Sequence, residues 1–165
     1  MVNNIYVDID GVLRLLDVKC FGKPAKYWHQ KNDKMQSLIE IVNENLNVLL
    51  EAEPTEYLPY FNTWPKLTLL TSQLEAWKPY TEAWLKAHLT VPYTITYTLD
   101  ANDKLDHLEK GDYVIDDSPM FSNFKQVILV HKKYNKKAEA PLRIHNSFEL
   151  SILLGMLKRK KKEIR

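Results

Sequence analysis

Ile5-Tyr6-Val7-Asp8-Ile9-Asp10-Gly11-Val12-Leu13 is a short apolar run that ends in two carboxylates one residue apart and then a glycine. It reads as a buried strand stopping at a reactive turn. Side chains alternate along an extended chain, so Asp8 and Asp10 project to the same side and two negative charges converge where the strand ends. At about 4 Å and an effective dielectric near 20 they repel by roughly 4 kcal/mol. Such a pair calls for a cation, a shared proton or a phosphate-handling task. Gly11 lets the backbone turn without a Cβ and leaves amide groups free to approach an anion.

Outward from this stretch, Leu67 to Thr71, Tyr113 to Ile115 and Val127 to Val130 are further apolar, strand-like runs, and Tyr93 to Tyr97 is rich in the Thr, Tyr and Ile that favour strands. Helical spacing lies between them. Met35, Leu38, Ile39, Val42, Leu46 and Leu49 mark one apolar face, with Asp33 as its N-cap. A second face runs through Trp77, Tyr80, Trp84, Leu85 and His88, where Pro79 begins or kinks the helix. The last presents Phe148, Ile152, Met156 and Leu157 behind a Ser147 cap. Strands alternating with helices predict a single α/β domain whose parallel sheet is covered on both faces. Ligands then sit beyond the carboxyl ends of the strands, where Asp8, Thr71 and Asp116 fall.

Lys19 to Pro65 interrupts the rhythm with one long helix, the proline-punctuated stretch Pro54 to Pro65, and the aromatics Tyr27, Trp28, Tyr57, Tyr60 and Phe61. It reads as a small helical cap leaning over the site; an ordinary crossover helix with a long loop is the alternative.

A chain of 165 residues can bury a substantial core without disulfides or a structural metal, and the single Cys20 excludes an internal disulfide. The net charge of +2 conceals a basic tail: Lys158 to Arg165 holds six basic residues and one acid, which leaves the rest of the chain net acidic. Such a tail suits a solvated helix end, and it can also touch nucleic acid or acidic surfaces. No stretch is long and apolar enough to span a bilayer, and Met1-Val2-Asn3-Asn4 lacks the layout of a secretory signal, so a cytoplasmic protein without membrane attachment is expected. The histidines at 29, 88, 107, 131 and 145 show no paired metal spacing and read as structural.

Three more pieces fall at strand ends. Leu67-Thr68-Leu69-Leu70-Thr71-Ser72 ends in two hydroxyls able to donate to phosphate oxygens, although a Thr-Ser pair is also a common helix cap. Tyr113-Val114-Ile115-Asp116-Asp117-Ser118-Pro119 is an apolar strand ending in paired acids. Between them Lys104, in Asp100-Ala101-Asn102-Asp103-Lys104, can supply a fixed positive charge; Lys110 is its rival, but Glu109-Lys110-Gly111-Asp112 reads as a turn.

In this order, from Tyr6 to about Pro119, the set resembles the haloacid dehalogenase superfamily: Asp-x-Asp-Gly-Val, a strand ending in Thr or Ser, a lysine, and a strand ending in Asp-Asp. Asp-Ile-Asp-Gly-Val-Leu, Leu-Leu-Thr-Ser, Asp-Lys and Val-Ile-Asp-Asp-Ser-Pro look most like its 5′(3′)-deoxyribonucleotidase group, as does Ile128-Leu129-Val130 followed by Tyr134-Asn135. Asp-Asp-Ser-Pro is also similar to the Asp-Asn-Ser-Pro of the small C-terminal-domain protein phosphatases. The resemblance implies a Rossmann-like three-layer α/β/α fold with a small helical cap insert at about 19–65. It implies Asp8 as the nucleophile and Asp10 as general acid and base. Thr71, Ser72 and Lys104 would bind the phosphoryl group, and Asp116 would orient Lys104. Asp8, the Asp10 carbonyl and Asp117 would hold Mg²⁺, which accepts an all-oxygen donor set. Two departures stand out: the segment between Asp10 and Thr71 is short for that group's cap, and Arg14 occupies a position where a small residue is usual.

The expected activity is therefore Mg²⁺-dependent hydrolysis of a phosphomonoester, a (deoxy)nucleoside monophosphate first. Arg14 near the mouth is expected to bind phosphate or base, and Tyr27, Trp28, Tyr60 and Trp64 are candidates to stack on a base. Two alternatives are a phosphatase of a nucleic-acid end or phosphoprotein, drawn by the basic tail, and a catalytically silent binding module, against which the complete set of acids argues.

Overall fold

The computed structural model describes residues 4–159, the side chains of 158 and 159 excepted, so the basic tail at 158–165 lies outside the described side chains. Six strands form one sheet: β1 (Ile5–Val7), β2 (Leu67–Ser72), β3 (Tyr93–Thr98), β4 (Tyr113–Asp116), β5 (Val127–Val130) and β6 (Leu142–Ile144). All neighbouring pairs are parallel, in the order β3-β2-β1-β4-β5-β6. This is a Rossmann-like α/β fold. The chain winds outward from β1 to β3, returns to β4 on the other side, and winds outward again. Beyond the carboxyl ends of β1 and β4 the winding reverses, which is where open α/β sheets leave a crevice.

Alternation sorts the strand residues onto two faces. Val7, Leu67, Leu69, Ile115, Ile128 and Val130 share a core with Trp84 and Leu85 of α5 (Lys78–His88) and with Leu150 and Leu154 of α7 (Ser147–Arg159). Leu70, Val114 and Val127 face the other way, against Phe121 and the smaller α6 (Asp103–Asp106). All four residues of β5 are buried, as a parallel strand covered on both sides requires.

Between β1 and β2 the chain forms α1 (Leu16–Phe21), α2 (Leu38–Glu44), α3 (Val48–Glu51) and α4 (Leu58–Phe61). Leu16, Val42, Val48, Leu49 and Ala52 make a separate small core with Trp77, just ahead of α5. The long helix expected from Met35 to Leu49 is two helices. Ser37, not Asp33, caps α2 in a reciprocal box: its hydroxyl accepts from Glu40 N while its own N–H donates to Glu40 Oε2 at 2.7 Å. Asn45 is extended and ends α2, and Met35 sits exposed at φ 62°. Pro79 falls in the first turn of α5, where its missing N–H has no intrahelical role.

The face of α7 also differs from expectation. Leu150 and Leu154 are buried, whereas Phe148, Ile152 and Met156 are exposed, and Asn146 Oδ1 accepts from Glu149 N at 2.9 Å in place of a Ser147 cap. Among the described residues no helix is long and apolar enough to cross a membrane.

Candidate metal centre

Val7 lies level with Ile115 across the β1 and β4 pair, so the next residues, Asp8 and Asp116, stand side by side where the two strands end. Asp8 N donates to Ile115 O at 3.0 Å and extends the ladder one step past the strand. Oxygens of Asp8, Asp116 and Asp117 lie within 4.8 Å of one another, and all three residues are buried.

Lys104, projecting from α6 and itself buried, stands against this group. Its Nζ donates to Asp116 Oδ2 at 2.7 Å and lies 2.9 Å from Asp8 Oδ1. The contact with Asp8 is a buried ion pair, and Lys104 is the group that faces Asp8 Oδ1. The other oxygen of Asp116 accepts from Ser118 N at 2.8 Å. Asp117 Oδ2 accepts from the Tyr134 hydroxyl, and Asn135 Nδ2 ties the Asp117 carbonyl to that of Val130 with two 2.8 Å bonds. Lys110, by contrast, is exposed in the turn before β4 and does not line the cavity.

One ammonium faces three buried carboxylates, and the acidities register the imbalance. Burial pushes Asp8 up to about 7; Lys104 opposes the shift, while Asp116 and Asp10 add to it. Asp117 is also held well above the ordinary carboxylate range, by burial first and then by Asp116 and Asp8. Burial alone would lower Lys104, but Asp116 and Asp8 outweigh it and the net direction is upward. Lys104 therefore stays charged, and the remaining negative charge suits a hard cation with oxygen ligands. The all-carboxylate donor set, with oxygens within 4.8 Å of one another, fits such an ion.

The turn after β1 is built on one carbonyl: Ile9 O accepts from Val12, Leu13 and Arg14 N at 3.3, 2.8 and 3.0 Å. Gly11 takes φ 83°, and a Cβ there would stand 1.7 Å from Asp117 Oδ2. No side chain fits that space without moving Asp117. Gly11 N donates to Arg14 O at 2.8 Å and closes the loop.

Asp10 lines the same cavity but lies outside the three-acid group. Its Oδ1 accepts from Arg14 Nε and its Oδ2 from Gln73 Nε2, both at 2.8 Å. Arg14 is fully buried and does not reach the cavity, which corrects the expectation that it meets phosphate or base at the mouth. Its other donors go to Leu49 O and Thr81 Oγ1. Thr71 is buried at the cavity wall. Ser72 also lines the cavity, but its hydroxyl is engaged with Thr98 Oγ1 and the Asp100 carbonyl, which leaves Thr71 as the hydroxyl of the pair without such ties.

The cavity holds about 410 Å³. Its floor is Asp8, Asp10, Thr71, Lys104, Asp116 and Asp117; its walls are apolar, from Phe21, Tyr27, Trp28, Leu38 and Ile39 on the β1 to β2 segment and from Leu74, Trp77 and Leu99. Tyr27 and Trp28 thus reach the cavity, with the Trp28 ring 5.5 Å from that of Tyr134. Tyr60 and Trp64 do not: they pack with Phe61 at the edge of the main core. Gln73 is a polar contact that the sequence reading did not single out, whereas Tyr134 entered it only through the resemblance of the stretch after Val130. A polar residue immediately after the Thr-Ser strand end was the available signal for Gln73.

Comparison with protein-family models, curated proteins and solved structures finds no match to this chain. The functional reading therefore rests on the site itself.

Proposed function

We propose that this chain is a Mg²⁺-dependent phosphomonoester hydrolase of haloacid dehalogenase type, working through an aspartyl-phosphate on Asp8 and accepting nucleoside monophosphates. The observation that carries the reading is Lys104 braced against Asp8 and Asp116 at the ends of two adjacent strands, with Asp117 beside them and Asp10 one loop away. The order of these pieces along the chain is that of the superfamily it resembles.

Asp8, Asp117 and the Asp10 carbonyl are the groups that would hold the ion, with Asp116 kept by Lys104 and Ser118 as organiser. Bound Mg²⁺ supplies the positive charge that lets a phosphate dianion approach the acids. An Asp8 carboxylate oxygen attacks phosphorus and the bond to the leaving oxygen breaks, while Asp10 gives that oxygen its proton. Water then attacks the phosphoryl group, Asp10 takes its proton back, and the Asp8 carboxylate is released. Thr71 donates to a phosphoryl oxygen, and Lys104 offsets the charge gathering there. The apolar and aromatic walls accept the leaving group. A cavity of about 410 Å³ suits a small ligand, and Tyr27 and Trp28 offer ring faces to a base.

Hydrolysis of p-nitrophenyl phosphate tests the chemistry. Turnover is expected with Mg²⁺ and not with EDTA or in Asp8→Asn; a folded, Mg²⁺-loaded wild type without turnover would refute it. A parallel screen of nucleoside monophosphates, sugar phosphates, phosphopeptides and phosphorylated oligonucleotides tests the substrate class. Preference for the polymers, falling steeply with salt, would replace nucleotides by a macromolecule.

A further inference from the structure

Arg14 is a fully buried guanidinium that touches no part of the cavity, and desolvating such a charge is costly unless each donor finds a partner. Its donors do. Nε donates to Asp10 Oδ1 at 2.8 Å, Nη1 to the Leu49 carbonyl of α3 at 2.9 Å, and Nη2 to Thr81 Oγ1 of α5 at 3.1 Å, while the Trp84 ring lies 5.4 Å from the guanidinium carbon. A rigid fork thus joins the Asp10 carboxylate to two separate helices. Gln73 holds the other oxygen of Asp10 at 2.8 Å, and it does so with its own Oε1 buried and without a hydrogen-bond partner. The amide is turned to serve Asp10 at the expense of its own carbonyl. The Asp10 side chain itself is 26% exposed and lines the cavity, so a partly exposed carboxylate at the site is gripped on both sides.

We infer that Arg14 and Gln73 are positioning residues that fix the Asp10 carboxylate for proton transfer to the leaving oxygen. This rests on the phosphomonoesterase reading above. In the step concerned, the Asp8 oxygen-to-phosphorus bond forms, the phosphorus-to-leaving-oxygen bond breaks, and the Asp10 proton moves to the departing oxygen. A misplaced donor fails mainly where the leaving group needs that proton. An alkoxide does; p-nitrophenolate leaves largely unaided.

The test compares kcat/KM, which runs only through the first irreversible step, for an alkyl phosphate and for p-nitrophenyl phosphate in wild type, Asp10→Asn, Arg14→Met and Gln73→Leu. Methionine fills much of the arginine's volume without its charge, and Gln73→Leu is the second variant should Arg14→Met fail to fold. Positioning predicts that both follow Asp10→Asn, losing on the order of 10²-fold on the alkyl ester and less than about tenfold on the aryl ester. Equal losses on both esters in folded, Mg²⁺-dependent variants would overturn the positioning role and leave the hydrolase reading standing. A wild type that cleaves neither ester overturns both. Arg14→Lys, which keeps the charge but not the fork, is expected to show the same leaving-group dependence.

Discussion

Asp8 is where burial and chemistry meet. Its carboxyl is raised to about 7 by burial, so in the metal-free protein the folded state holds a proton that the unfolded state releases near pH 4. Between those values folding binds more protons than unfolding, and the Asp8 contribution to stability is lost as pH rises toward 7. Asp8→Asn removes the titration, so we expect the variant to be inactive yet to gain stability on metal-free wild type progressively from pH 4 to 7. Paired thermal unfolding and turnover measurements check both halves; activity retained in the folded variant would remove Asp8 from the chemistry. The two acids after β4 differ in what holds them. Both oxygens of Asp116 are taken by Lys104 and Ser118, whereas the described side-chain bond of Asp117 is a single one, from Tyr134. Asp117→Ala should therefore raise the Mg²⁺ concentration needed for half-maximal activity more than Asp116→Ala does, and the opposite order would exchange their roles.

The turn after β1 is the element on which the site depends most directly. A methyl group on Gly11 would collide with Asp117 Oδ2, and φ 83° is strained for any residue with a Cβ by about 1–2 kcal/mol. Gly11→Ala should thus weaken Mg²⁺ dependence and turnover well beyond its modest effect on unfolding temperature; a variant with wild-type Mg²⁺ response would show that Asp117 can move without consequence. The strands that carry the site were legible because each is a short apolar run ending in an unusual polar group, as in Val7-Asp8 and Ile115-Asp116. Arg14 was not legible in the same way. Its partners Leu49 and Thr81 lie 35 and 67 residues further along, and a charged residue beside a reactive loop gives no local sign that it will be buried. The seam of α7 was hidden by surplus: Phe148, Leu150, Ile152, Leu153, Leu154, Met156 and Leu157 offer more than one apolar stripe, and only the sheet decides that Leu150 and Leu154 go inside. β6 has three residues with an arginine in the middle, too short for a periodic signal.

At the scale of the molecule, the sheet order sets β1 between β2 and β4 and gathers Asp8, Thr71 and Asp116 at one edge, while α6 returns Lys104 to them from the thinner face. The fold thereby concentrates more negative charge than Lys104 neutralises, with Asp8, Asp116 and Asp117 buried at the floor of an apolar-walled cavity. On the proposed reading such a site trades stability for readiness to bind a cation. Burial holds the pKa of both Asp8 and Asp117 up, so at low pH they sit protonated and the metal-free fold bears little strain from them. Above about pH 7 Asp8 ionises in the folded state and the metal-free protein has lost that part of its stability, which on the proposed reading a divalent ion would recover. Because carboxyls must release protons before they coordinate, the proposed Mg²⁺ binding would be linked to pH in the same direction. We expect the rise in unfolding temperature on replacing EDTA by saturating Mg²⁺ to be small at pH 5 and clearly larger at pH 8, with Asp8→Asn and Asp117→Ala each reducing the difference. Calorimetry or fluorescence-monitored melting reads it without any substrate. A Mg²⁺ shift that is equal at the two pH values, or larger at pH 5, would mean that these acids are not the groups that hold the ion.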